Sequence, residues 1–97
     1  MVAELFEMDE IRKLIDENRL DDALKMLDEF QNINTGKTPA EVFLLKGRIS
    51  CKQHKWGDVI NQYSEVLEIE PDNSEAKSGI QMARNILGFY NTDMLNP

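Results

Sequence analysis

Cys51 and His54 stand three residues apart, a spacing that brings a thiol and an imidazole onto one face of a helix. Such a pair can make a thiolate nucleophile and its base. That chemistry also needs a group to orient the imidazole and donors for an oxyanion, and the sequence offers no identifiable residue for either. As metal ligands the two fall short of the three or four that zinc takes. The expectation is a structural cysteine, with no catalytic residue, no metal and no cofactor. The run TGKT at 35–38 echoes a phosphate-binding loop, but that loop needs a glycine where Gln31 stands and a strand before it. Asp9, Glu10, Asp16 and Glu17, like Asp58, Glu65, Glu68 and Glu70 beyond Trp56, are carboxylates at surface spacing. Acid–base work needs a shared dry pocket, and solvated helix faces do not supply one.

The chain has 97 residues and a formal net charge of −7, room for one domain with a modest core. Residues 1–30 carry net −6, 31–60 net +3 and 61–97 net −4. The acidic total argues against nucleic acid, where phosphate neutralisation needs Lys and Arg. No apolar run approaches the span of a bilayer, and the opening MVAELFEMDE lacks the pattern of a signal peptide. With a single cysteine, these features lead us to expect a cytoplasmic protein with no membrane contact.

The elements that must position any site are helices. Leu5, Met8, Ile11, Leu14 and Ile15 keep a 3.6-residue period up to Glu17, and Asn18-Arg19 makes a turn. Leu20, Ala23, Leu24, Leu27 and Phe30 predict a second helix, followed by a loop over QNINTGKTP. Thr38 is placed to cap a third helix, with Pro39 at its first position, running to about Gln53. A turn at His54-Lys55 leads to a helix from Trp56 to Ile69, which Pro71 ends. A last helix starts at Asn73 or Ser74 and reaches roughly Phe89. Short connections make the paired helices antiparallel. The pairs also repeat. Leu20, Ala23, Leu24, Leu27, Phe30 and Ile33 fall on Trp56, Val59, Ile60, Tyr63, Val66 and Ile69, each 36 residues on. Met8, Arg12 and Ile15 fall on Leu44, Arg48 and Cys51 at the same offset. Equal tandem units indicate a repeat architecture.

Residues 40–73, AEVFLLKGRISCKQHKWGDVINQYSEVLEIEPDN, resemble a tetratricopeptide repeat. Phe43 stands at the aromatic place, Gly47 at the small-residue place, Tyr63 at the later aromatic place and Pro71 at the terminator. Lys46, Ser50 and Val59 depart from that pattern. Residues 4–37 resemble a degenerate first repeat, with Ile11 at the small-residue place and no closing proline. Residues 74–91, opening SEA as 40–73 opens AEV, resemble a capping helix, and 92–97 form a tail. The resemblance implies a single domain over 1–97. Its fold would be all-α, a right-handed solenoid of two antiparallel helical hairpins plus a capping helix.

The resemblance also implies a non-enzymatic module that binds a protein or peptide in a concave groove lined by the first helix of each hairpin. Carried onto this chain, that groove would be lined by Met8, Leu44 and Cys51, together with Leu5. Arg12, Arg48 and Lys52 would read acidic groups, so an acidic or carboxylate-ended peptide is the favoured partner. Leu44 and Leu45 occupy two places where the family's carboxylate clamp uses Lys and Asn, so that specialised role is not expected. The alternative is a self-associating structural protein joined through apolar ends at Phe6, Phe89, Tyr90 and Leu95. Monomer and weak homodimer both remain open at this point.

Overall fold

The computed structural model describes the backbone of residues 2–33 and 36–90 and the side chains of 8–33 and 36–88. The roles expected of Leu5, Phe6, Phe89, Tyr90, Met94 and Leu95 fall outside those side chains. The described chain is all-helical, without strands: α1 (Val2–Asp16), α2 (Leu20–Ile33), α3 (Ala40–Lys52), α4 (Trp56–Ile69) and α5 (Ser74–Tyr90). Two details differ from the sequence reading. The second helix continues past Phe30 to Ile33, because nothing in Gln31-Asn32-Ile33 breaks a helix. The third begins after Pro39, which is itself the cap residue in an extended conformation, and no side chain caps it. Thr38 therefore does not play the capping part. Where a side chain does cap a helix is at α5, whose Ala76 N–H donates to Asn73 Oδ1 at 2.9 Å.

The 36-residue periodicity is written into the backbone. Asn18 and His54 both adopt left-handed geometry, at φ 63° and 59°. The Asn18 N–H donates to Ile15 O at 2.9 Å and the Arg19 N–H to Leu14 O at 2.8 Å. Thirty-six residues later His54 N–H donates to Cys51 O at 3.1 Å and Lys55 N–H to Ser50 O at 2.9 Å. Each turn is a Schellman motif that satisfies the last carbonyls of one helix and reverses the chain into the next.

Sequential packing builds the core: α1 on α2, both on α3, then α3 on α4 and α4 on α5. Two buried clusters result, one around Ile11, Leu27, Leu45 and Ile49, the other around Leu44, Val59, Tyr63 and Val66. Helix α3 belongs to both. Val42, Leu45 and Ile49 face the first cluster, while Ala40 and Leu44 face the second. A helix buried on two sides has no single apolar stripe, so Val42, Phe43, Leu44, Leu45 and Ile49 are spread round α3 between its charged residues. The molecule is elongated, 51 × 27 × 22 Å, with a radius of gyration of 14.6 Å. A compact chain of this length would have about 12–13 Å.

One layer of each cluster explains an oddity of the repeat. Tyr63 is 3% exposed, and its ring lies between Gly47 of α3 and Gly79 of α5. A Cβ at either glycine would overlap ring carbons. The corresponding places in the first unit hold Ile11, Leu27 and Leu45, all fully buried. Three aliphatic side chains thus fill there what one aromatic between two glycines fills later. Ile11 at the small-residue place is matched by a smaller residue, Leu27, facing it.

Candidate interaction face

Two Arg–Glu contacts join α1, α3 and α5. Arg12, on α1, donates from Nε to Glu41 Oε1 of α3 at 3.0 Å and also binds Asp9 within its own helix. Arg48, on α3, makes a two-pronged pair with Glu75 of α5, at 2.6 and 2.7 Å. These are one contact made twice. The arginines are 36 residues apart, and the glutamates, each in the first turn of its helix, are 34 apart. Carboxylates there also face the positive end of the helix dipole. The hydrogen bond to Arg48 pulls the Glu75 carboxyl below its ordinary range, and the same bond raises the Arg48 guanidinium.

Tyr63 adds a third member. Its hydroxyl donates to Glu75 Oε2 at 3.4 Å, and Cys51 packs against the cluster that holds its ring. Burial raises the Tyr63 phenol strongly and raises the Cys51 thiol as well, which disfavours thiolate. The His54 ring packs edge-on to Trp56, with centroids 5.6 Å apart. Cys51 and His54 therefore engage different aromatic partners, and the thiol is held in its neutral form.

The residues expected to line a groove divide into three kinds. Met8 and Leu44 are buried, 7% and 8% exposed, one in each core cluster, and offer a partner little surface. Arg12, Arg48 and Cys51 are part-exposed but already engaged by Glu41, Glu75 and Tyr63. Lys52 is exposed and makes no ion pair with a described residue. The ladder Asp9–Arg12–Glu41–Arg48–Glu75 alternates in sign, so this face is not simply basic. The two glutamates escaped the sequence reading because each lies two helices after its arginine. Their signal was the shared second place of AEV and SEA.

Sequence reasoning also missed an open groove of about 450 Å³ between α4 and α5, lined by Ser64, Leu67, Glu68, Lys77, Ile80, Gln81 and Arg84. Among the described residues, no group of three or more His, Cys, Asp or Glu is placed to hold a metal ion, and no helix is long and apolar enough to cross a membrane. No protein-family model, no curated protein and no solved structure matches the chain.

Proposed function

We propose that this chain is a non-enzymatic interaction module of the tetratricopeptide-like kind: two helical hairpins and a capping helix in a short right-handed solenoid that binds a protein segment. The observation that carries the reading is the duplicated Arg–Glu contact, Arg12 to Glu41 and Arg48 to Glu75. A bond repeated between successive first helices is what a stacked array needs to fix the tilt of each unit on the next. The capping role of α5 has its own support. The α3 residues Ala40, Phe43, Leu44 and Gly47 give way, 34 residues later, to Ser74, Lys77, Ser78 and Gln81, all exposed. An array that ends presents polar side chains where it would otherwise stack another helix.

On the ladder side, an acidic ligand must compete with Glu41 and Glu75 for the arginines, and Lys52 is the cation left open to it. A cytoplasmic setting suits the free Cys51. Self-association is the second reading, and one observation favours it. Ile33 and Ile69, 36 residues apart, end α2 and α4 and are 77% and 50% exposed. Sedimentation across a wide concentration range tests it. A strictly monomeric protein at high concentration would remove it.

The interaction role is tested by immobilising the full chain, exposing it to native extract and eluting what is retained. The expected result is a saturable partner, recovered equally by Cys51→Ser. Recovery of no partner, together with turnover that disappears in Cys51→Ser, would contradict it.

A further inference from the structure

The α4–α5 groove has a counterpart one unit earlier, and the two differ in a directed way. Ile80 holds the place of Lys46 and Arg84 that of Ser50, both 34 residues before, while Leu67 holds the place of Gln31, 36 before. In the earlier cleft, Lys46 spans from α3 to Asp28 of α2 at 3.0 Å and also reaches Gln31. There α4 lies alongside, turning Asp58 and Gln62 into the same cleft as Lys46 and Ser50. The later groove lacks the polar bridge, and its floor is the half-buried Leu67, with the core residue Ile80 beneath it.

Charge sharpens the contrast. Residues 61–97 carry net −4 and contain two basic residues, Lys77 and Arg84. Both stand on this groove. They are seven residues apart on α5, two helical turns or roughly 10 Å. Lys77 has only a loose contact, 3.8 Å, with the exposed Asp72, and Arg84 has no ion pair among the described residues.

We propose that this groove docks an acidic amphipathic helix of a partner protein, laid along the cleft between α4 and α5. Its apolar side chains rest on Leu67, and two carboxylates, two turns apart, face Lys77 and Arg84. Glu68 on the opposite rim repels an acid placed there and so fixes which way the helix is rolled. The proposal rests on the interaction role above and gives it a site and a partner chemistry.

The probe is a fluorescein-labelled helical peptide of about 14 residues, four turns, with Leu along one face and two Glu two turns apart. It is titrated into the full chain at low salt and followed by anisotropy. Saturable binding is expected, weakened about tenfold by Lys77→Glu with Arg84→Glu. That variant should in turn prefer a peptide with Lys in place of the two Glu, a swap that loss of folding cannot imitate. Leu67→Gln, which restores the residue of the earlier cleft, should weaken both. Absence of binding, or equal affinity for both charge versions, overturns the proposal. Concentration-dependent association lost in Lys77→Glu/Arg84→Glu would make a second copy the occupant. Binding that appears only in Met94→Ser/Leu95→Ser would make residues 91–97 the occupant. Either result overturns the assignment to a partner. A natural partner retained equally by wild type and Lys77→Glu/Arg84→Glu would leave the interaction role standing and remove this groove from it.

Discussion

Tyr63 shows how one side chain sets the requirements of two helices. Its ring fills the space against both Gly47 and Gly79, so each glycine is fixed by packing rather than by backbone conformation. In an open helix, Gly→Ala stabilises by roughly 1 kcal/mol. Here the added methyl meets the ring, and Gly47→Ala or Gly79→Ala should each cost about 1–3 kcal/mol in urea unfolding. Tyr63→Leu combined with Gly79→Ala moves the layer towards the Ile11–Leu27–Leu45 arrangement and should recover part of the loss. Additive losses would show that the ring is not the obstacle. His54 makes the same point for a residue that looks reactive. Its place in the sequence suggests a base beside Cys51, yet its φ of 59° makes it the turning residue of a Schellman motif. His54→Val should cost about 2 kcal/mol, because a β-branched residue resists that geometry. His54→Gly should stay within about 1 kcal/mol of wild type, the backbone relief offsetting the lost contact with Trp56.

Between elements, the two Arg–Glu pairs tie each first helix to the next. Their side chains are about a third or more exposed, so each pair contributes about 0.5–1 kcal/mol. The Glu75 carboxyl is depressed in the fold by its hydrogen bond to Arg48. Its stabilisation is therefore present above the ordinary carboxylate pKa of about 4.3 and is lost as pH falls through the lower folded value. Glu75→Gln should lower stability at pH 7, and the gap to wild type should close in strong acid. A gap that persists below pH ~2 would assign the residue a packing role instead. The helices themselves were largely legible. Trp56 to Ile69 is apolar at helical spacing and is bounded by a turn and Pro71, and α4 occupies those residues. What the spacing does not encode is the partner of a charged residue on another helix. Arg12 and Arg48 could be aligned with each other, but Glu41 and Glu75 follow a different offset because of the two extra residues around 34–39. Met8 lies on the apolar stripe that spacing marks on α1, but spacing could not say that Leu44 faces the core. On a helix such as α3, buried on two sides, periodicity marks no single inward face.

For the whole molecule, two cores sharing α3 predict how the chain comes apart. Neighbouring units hold one another, and no broad interior spans the length. A cavity in the shared helix, Leu45→Ala, should cost about 2–5 kcal/mol and expose the amides of α2 and α4 together in hydrogen exchange. Protection lost from α1 and α2 alone would separate the two units. An elongated stack of this kind exposes much surface for its mass, and its one thiol is kept neutral by burial. Both features suit the proposed binding role. The proposed role is tested most directly by titrating a partner recovered from native extract into the full chain and into Cys51→Ser. Saturable binding of equal affinity to both is the predicted result. Failure to recover any saturable partner, alongside turnover that depends on Cys51, would contradict it.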